Sequence, residues 1–156
     1  MATIQVKPHA KNLRRGRYSE SGQYYLVTTV THHRIPIFIS LACARAVVRA
    51  IYDRDAEGQC KTLAWVLMPD HLHWLVVLQD TDLSSLVGQM KQAASSKINR
   101  LHNQQGQIVW QQGFYDRMLR QEEDIVDIAR YIVANPLRAG LVSRIGDYSH
   151  WDAVWL

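Results

Sequence analysis

The fold is decided by residues 62–78, TLAWVLMPDHLHWLVVL. Two apolar, strand-like runs flank Pro69-Asp70, a dipeptide typical of turns, and this pattern predicts a β-hairpin at the centre of a sheet. Side chains alternate across a strand, so His71 and His73 point to the same face of the second strand. The opposite face is taken by four apolar residues, Leu72, Trp74, Val76 and Leu78.

The two histidines lie at the start of a strand that is too apolar to be anything but buried. Polar rings in such a place are costly unless something binds them. Their shared face brings them close enough to hold one metal ion. The alternative is that each ring is satisfied by a backbone carbonyl or a water, since histidine is only intermediate in its preference for burial. The hydrophobic flanks favour the metal site.

Length and composition indicate one globular domain without a membrane span. The chain has 156 residues, 47% of them hydrophobic, and we expect a single domain over residues 1–156 with a basic arm at 1–20 and an aromatic tail at 143–156. No apolar run reaches the roughly 20 residues that a membrane span needs, and the N-terminus lacks the apolar core of a signal peptide. Cys43 and Cys60 lack metal-ligand spacing, so we expect buried thiols in a reducing cytoplasm.

The formal net charge of +4 is unevenly distributed along the chain. Residues 1–19 and 83–115 contain no acid, whereas acids gather at 53–57 and 122–127. Such segregation creates a local positive field that suits a phosphate backbone; the alternative is a solvated basic tail and a neutral helix face. The candidate DNA-binding residues lie in the two acid-free segments and are Arg14, Arg15, Arg17, Lys91, Lys97 and Arg100.

The remaining elements indicate an α+β fold. Strand, helix, hairpin and long helix in this order fit a ferredoxin-like antiparallel sheet with helices packed on it. Periodicity, β-branched runs and turn residues predict a strand at 23–31, a helix at 40–54, a long helix from the N-cap Asp82 to about residue 102, a loop at 103–114, and a helix from about Gln121 that ends at Asn135-Pro136.

Two tyrosines are candidate nucleophiles for phosphate chemistry. Tyr131 lies on the last predicted helix, where residues four apart share a face, and it forms a polar stripe with Asp127 and Asn135. Tyr115, in the segment 110–117, lies in a predicted loop. The helical spacing favours Tyr131, with the Asn135 amide as a third metal ligand or a phosphate contact. The alternative is a boundary tyrosine followed by a helix-ending Asn-Pro.

Several segments, in their order along the chain, closely resemble the single-tyrosine HUH transposases. The resemblance is closest to the branch that acts on repetitive extragenic palindromes (REP) in bacterial chromosomes. It covers roughly residues 12–152 and implies the HUH endonuclease fold and a DNA transposase. The segments that carry it are Arg14-Arg15, YYLVT at 24–28, MPDHLH at 68–73, WQQGFYDRMLR at 110–120 and ARYIVANPLRAGLV at 129–142.

The resemblance also implies the roles of the site residues. His71 and His73 would bind the metal, and Tyr131 would attack a phosphate of single-stranded or hairpin DNA, giving a 5′-phosphotyrosine and a free 3′-hydroxyl. Insertion-sequence members carry a Gln one helical turn after the tyrosine as third ligand. The shorter Asn135 stands at that position here and would bind directly or through a water. The implied ion is Mg²⁺ or Mn²⁺.

Two other functions are compatible with parts of the sequence. A non-catalytic nucleic-acid-binding domain of the same fold explains the charge pattern, and a metal-dependent phosphohydrolase explains the histidine pair, but neither uses Tyr131. The resemblance implies two possible oligomeric states. Insertion-sequence relatives form dimers that exchange the tyrosine helix, whereas the REP-associated branch is expected to be monomeric. We expect a cytoplasmic, nucleoid-associated monomer with its site in one chain, although a homodimer is compatible with the short connection at 113–121.

Overall fold

The computed structural model describes residues 8–9, 19–120 and 124–155. Three of the predicted DNA-binding residues, Arg14, Arg15 and Arg17, lie outside the described residues. The regular elements follow in chain order as β1 (Pro8–His9), β2 (Tyr24–Val30), α1 (Leu41–Ala56), β3 (Cys60–Met68), β4 (His71–Leu78), α2 (Leu83–Leu101), β5 (Phe114–Leu119), α3 (Ile125–Val133), α4 (Asn135–Arg138) and β6 (Trp151–Ala153), with short 3-10 helices at His32–Arg34, Ile37–Ile39 and Ile145–Asp147.

The strands form one antiparallel sheet in the spatial order β1-β5-β2-β4-β3-β6. Strands β2 and β4 lie at its centre, and each of the helices α1 and α2 connects two strands that are not neighbours in the sheet. This is the ferredoxin-like α+β arrangement that the sequence predicts. None of the helices in the described ranges has the length and apolar character to span a bilayer.

The predicted hairpin is formed by β3 and β4 around the turn Pro69-Asp70. His71 pairs with Met68, and His73 pairs with Val66. An irregularity between Thr62 and Ala64 shifts the register near the far end of the hairpin. Alternation therefore assigns the two faces of β4 as predicted, with the histidines on one face and Leu72, Trp74, Val76 and Leu78 on the other.

Each face of the sheet packs against different helices. The apolar side chains of β4, including the fully buried Trp74, join one core with α1 and α2. Leu26 of β2 and Leu75 of β4 point to the other face and join a second core with Ile132 of α3. Since Leu75 and His73 are two residues apart on one strand, α3 covers the same face that carries the histidine pair.

Helix α3 begins later than the sequence predicts. We expected a helix from about Gln121 with Asp124 in its first turn. Asp124 is instead the N-cap, because its carboxylate accepts hydrogen bonds from the backbone N–H groups of Val126 and Asp127, and the helix starts at Ile125. The predicted cap at Asp82 is confirmed, since its carboxylate accepts from the N–H of Ser85.

The prediction that Tyr115 lies in a loop is wrong, because the segment Phe114–Leu119 is strand β5. β5 lies between β2 and the two-residue β1, and Tyr115 pairs with Thr28. Its sequence, FYDRML, does not alternate polar and apolar residues in the way that marks a strand with one buried face, and most of its residues are half-buried. Tertiary pairing with β2 defines this strand.

The aromatic tail packs onto the sheet. β6 pairs with Ala64–Val66 of β3, and the hydroxyl of Tyr148 donates a hydrogen bond of 2.5 Å to the carbonyl of Leu67. The indole of Trp151 donates to the carbonyl of Ile145. These contacts place the tail at the outer edge of the hairpin.

Candidate active site

The imidazoles of His71 and His73 lie side by side at the start of β4. Their ring centroids are 4.9 Å apart and their planes make an angle of 83°. Rings this close can each present one nitrogen to a shared ion at a bond length of about 2.1 Å. The structure therefore brings together the two side chains that the sequence places on one strand face.

Each ring has a hydrogen-bond partner at Nδ1. Nδ1 of His71 lies 2.7 Å from Oδ1 of Asp70, and because a carboxylate only accepts, this Nδ1 carries a hydrogen, so that the neutral form of the ring has its lone pair on Nε2. Nδ1 of His73 lies 2.8 Å from the hydroxyl oxygen of Thr28 on β2. Partners of this kind fix the orientation of metal-binding imidazoles and, where they accept the N–H, the tautomer.

The electrostatics of the pair suit cation binding. Burial would raise the pKa of Asp70, but hydrogen bonds and charges from His71 and Arg34 outweigh burial and lower the pKa of this carboxyl. Burial, together with the charges of His71 and Arg138, lowers the pKa of His73 to about 3. His73 is therefore neutral at neutral pH, which is the protonation state that binds a metal.

Helix α3 places Tyr131 on the same face of the sheet as the histidines. Ile132 anchors the helix in the second core, and the half-buried Tyr131 packs at the edge of that core. The guanidinium carbon of Arg138 lies 3.9 Å from the centroid of the Tyr131 ring. Because the charge of Arg138 also acts on His73, this arginine connects the tyrosine with the histidine pair.

The other polar residues of the tyrosine stripe are engaged locally. Asn135 begins α4, and its amide nitrogen donates a hydrogen bond of 2.7 Å to the carbonyl of Ile132, which leaves the amide oxygen as its potential ligand atom. Asp127 is exposed and forms an ion pair of 3.2 Å with Arg130. Within the described part of the chain, no third His, Cys, Asp or Glu joins the pair to form a metal-binding group.

Comparison with known proteins assigns the family. The family model described as "Transposase IS200 like" matches residues 19–135, a range that contains the histidine pair, Tyr131 and Asn135. The chain belongs to the IS200-like transposase family. Members of this family are transposases, which are DNA-cleaving enzymes.

Individual relatives agree with the resemblance seen in the sequence. The REP-associated tyrosine transposase of Escherichia coli (strain K12) is 25% identical over 135 residues, which cover 84% of this chain and 76% of that protein. A relative from Haemophilus influenzae is 23% identical over 113 residues, covering 65% of this chain and 64% of its own. The solved structure of a REP-associated tyrosine transposase bound to a REP hairpin shares the fold, with a TM-score of 0.70 at 22% identity over 86% of this chain and 79% of that one.

Tyr115 of this IS200-like transposase lies on the same sheet face as the histidines. It pairs with Thr28, and Thr28 pairs in turn with His73, so the three residues form one row across β5, β2 and β4. Neighbouring strands are about 4.8 Å apart, which puts the backbone of Tyr115 about 10 Å from that of His73. Tyr115 thus borders the histidine pair within the sheet, while Tyr131 lies on the helix that packs on this face.

The basic residues of α2 that are predicted to bind DNA lie apart from this face. Lys97 and Arg100 are exposed on α2 and, with Arg45 and Arg49 of α1, line a groove between the two helices on the other side of the sheet. Lys91 is half-buried, and its ammonium group donates to the carbonyls of residues 111 and 113. The charge of Lys91 is therefore used inside the protein.

Sequence reasoning missed Thr28, Asp70 and Arg138 as parts of the site. Asp70 stands directly before His71, and a carboxylate beside a candidate metal-binding histidine is a signal that could have been used. Arg138 stands two helical turns after Tyr131, but the break between α3 and α4 disrupts that periodicity. Thr28 reaches His73 through strand pairing alone, so no local pattern indicates it.

Proposed function

We propose that this IS200-like transposase cleaves and rejoins single-stranded or hairpin DNA of the REP type through a 5′-phosphotyrosine on Tyr131. The observation that carries the proposal is the placement of His71, His73 and Tyr131 on one sheet face, with Arg138 in contact with the tyrosine ring and acting on His73. A phosphohydrolase would need the histidines alone, and a DNA-binding module would need none of the three.

The histidine pair fits a divalent cation. Two imidazoles with their Nδ1 atoms already hydrogen-bonded present Nε2 as ligand atoms, and oxygens of Asn135, water or the substrate would complete the coordination. Mg²⁺ or Mn²⁺ suits such a site because a shell otherwise made of oxygens is typical of both. When bound, the ion polarises the scissile phosphate and neutralises its developing charge.

The residues of this chain would then carry out the covalent step. The phenolic hydroxyl of Tyr131 would lose its proton, and its oxygen would attack phosphorus. A tyrosine–phosphate bond forms, the bond between phosphorus and the 3′ oxygen breaks, and that oxygen takes up a proton to become the free 3′-hydroxyl. The free 3′-hydroxyl of a second strand can reverse the step, because the phosphotyrosine conserves the energy of the broken phosphodiester bond. Arg138 would hold the tyrosine ring in place and donate hydrogen bonds to phosphate oxygens.

The proposed partners follow from the charge pattern and the relatives. REP hairpin DNA, the ligand of the solved relative, is the substrate class that we propose here. Arg14, Arg15 and Arg17 would contact phosphates, and Lys97 and Arg100 would contact DNA that extends to the other side of the sheet. Lys91 would instead hold the loop at 111–113. We propose that the protein acts on chromosomal DNA in the cytoplasm as a monomer that contains the complete site.

A matched pair of tyrosine variants tests the assignment. Labelled hairpin DNA with a single-stranded extension is incubated with Mn²⁺ and the wild type, Tyr131→Phe or Tyr115→Phe, and the products are separated on a denaturing gel. We expect a protein-linked band for the wild type and Tyr115→Phe and none for Tyr131→Phe, because the substitution removes one oxygen and little volume. Peptide mass spectrometry of the linked band identifies the modified residue.

Histidine variants complete the experiment. His71→Ala and His73→Ala should abolish cleavage and weaken Mn²⁺ binding, while circular dichroism shows a folded protein. A phosphonucleotide on Tyr115, or full activity in Tyr131→Phe, would refute the proposed nucleophile. Free fragments without a linked band would indicate a hydrolase, and DNA binding without cleavage would indicate a binding module.

A further inference from the structure

An open pocket lies beside the candidate active site, where β2 leaves the sheet. It has a volume of about 580 Å³. Its surface combines rings, an exposed aliphatic side chain and two amides, and no acid is present among the described residues that line it. The residues that line the pocket are His32, His33, Ile108, Trp110, Gln111 and Gln112.

The walls of this pocket are held in place by hydrogen bonds. The backbone N–H of His32 donates to the carbonyl of Val109, and the N–H of Gln111 donates to the carbonyl of Val30. Lys91 donates from below to the carbonyls of Gln111 and Gly113. Burial lowers the pKa of Lys91 to about 8, so it still carries the proton that it donates at neutral pH. The pocket is therefore built before any ligand arrives.

The backbone beside the pocket is strained. His33 and Arg34 are consecutive non-glycine residues in the left-handed region, with φ values of 55° and 52°. Such residues persist only where the surroundings hold them, and they concentrate at binding sites. Here the hydroxyl of Thr31 holds the carbonyl of Ile35 at 2.8 Å. The resulting turn keeps the rings of His32 and His33 in contact, with centroids 3.8 Å apart.

The pocket is connected to the histidine pair by two routes. Gln111 is hydrogen-bonded to Val30, and Val30 pairs with His71, so Gln111 lies two strands, or about 10 Å, from His71. Arg34 forms an ion pair of 3.2 Å with Asp70, whose other oxygen holds His71. This distance is short enough for a DNA strand whose phosphate lies at the histidines to reach the pocket within a few nucleotides.

We infer that the pocket takes an unpaired nucleobase of the strand next to the scissile phosphate. Imidazole rings are surfaces on which unpaired bases stack, and glutamine amides can both donate to and accept from a base edge. A lining without acids admits a polyanion. Lys91 acts as a positioning residue, since it fixes the loop that carries Gln111 and Gln112. The inference rests on the proposed function, because it needs a single-stranded DNA substrate at this face.

Abasic scanning of the DNA tests the pocket without requiring cleavage. Binding of a fluorescent hairpin with a single-stranded extension is measured by anisotropy in EDTA, and each extension nucleotide is replaced in turn by an abasic one. An abasic nucleotide keeps its phosphate, so the scan isolates the contribution of each base. For the wild type we expect affinity to fall by at least about fivefold at one position, as for a stacked base.

The variants then assign that position to the pocket. Gln112→Ala removes an exposed amide, and His33→Asn removes a ring while its side chain tolerates the left-handed backbone. Gln105→Ala, an exposed glutamine outside the pocket, is the control. We expect the position-specific decrease to disappear in Gln112→Ala and His33→Asn and to persist in Gln105→Ala, with unchanged melting temperatures.

Two results would overturn the inference. One is a wild-type scan in which no position is sensitive, and the other is a sensitive position that responds equally in the control and in both pocket variants. Neither result affects the nucleophile assignment, because the phosphotyrosine on Tyr131 is detected separately with Mn²⁺. Conversely, a base-sensitive, pocket-dependent position in a protein that never forms the adduct would support the pocket and refute the proposed catalytic function.

Discussion

Replacing Asp70 by Asn tests whether this carboxylate prepares His71 for metal binding. One carboxylate oxygen accepts from Nδ1 of His71 at 2.7 Å, and the other accepts from Arg34 at 3.2 Å. An amide can satisfy only one of these donors. If its oxygen faces His71, its NH₂ group opposes the guanidinium. If its oxygen faces Arg34, its NH₂ group meets Nδ1 and forces the ring hydrogen to Nε2, the atom that would bind the metal.

The expected decrease in metal affinity follows from this conflict. Removing such a partner of a metal-binding histidine lowers metal affinity by about 10- to 100-fold, or about 1.4 to 2.7 kcal/mol. The matched control Arg34→Gln removes only an ion pair whose arginine side chain is 63% exposed, which contributes at most about 1 kcal/mol. The double variant relieves the donor conflict, so it should bind Mn²⁺ more tightly than Asp70→Asn alone.

The assay is a Mn²⁺ titration in which electron paramagnetic resonance reports the free ion, with melting temperature as a check on folding. From the tightest to the weakest Mn²⁺ binding, the order should be wild type, Arg34→Gln, double variant and Asp70→Asn. A folded Asp70→Asn protein that binds Mn²⁺ as tightly as the wild type would refute the argument that Asp70 sets the tautomer of His71. A double variant weaker than Asp70→Asn would refute the donor conflict.

Two further predictions concern the tail and the DNA-binding residues. Tyr148→Phe removes the hydrogen bond to the carbonyl of Leu67 and should lower the free energy of unfolding by about 1 kcal/mol in urea denaturation. An equal decrease in the neighbouring Ser149→Ala would contradict this reason. Replacing Arg14 and Arg15 by Ala should reduce the magnitude of the log–log salt slope of single-strand binding by about 0.7 for each phosphate that the protein no longer neutralises. An unchanged slope would show that the arm is only a solvated tail.

The hairpin and the histidine pair could be predicted from the sequence because the signals are local. Alternating residues of β4 face opposite sides of the sheet, and the turn Pro69-Asp70 fixes where the alternation begins. The position of Tyr131 relative to an apolar helix face is likewise a matter of helical period. The α+β fold puts the histidine pair on one face of the sheet and packs the helix of Tyr131 against that face. These two local patterns therefore account for most of the candidate site.

The remaining features depend on contacts between distant residues. Strand β5 is not marked by its own residues, since its polar and apolar side chains do not alternate, and pairing with β2 defines it. The contact between Thr28 and His73 joins residues 45 positions apart. The placement of Lys91 under the loop at 111–113 depends on how α2 packs. The sequence around Lys91 contains no acid, and this local pattern indicated a surface role instead.

The register of the hairpin makes this site unusually sensitive to length changes in β4. Metal-binding candidates and core residues occupy alternate positions of one strand, so a single inserted residue after Leu75 would leave the histidines in place but turn Val76 and Leu78 towards the tyrosine helix. A deletion before Leu72 would instead drive an imidazole into the core of α1 and α2. Lineages that abandon catalysis while keeping the fold should therefore do so by point substitution at His71, His73 or Tyr131, with the spacing of the strand preserved.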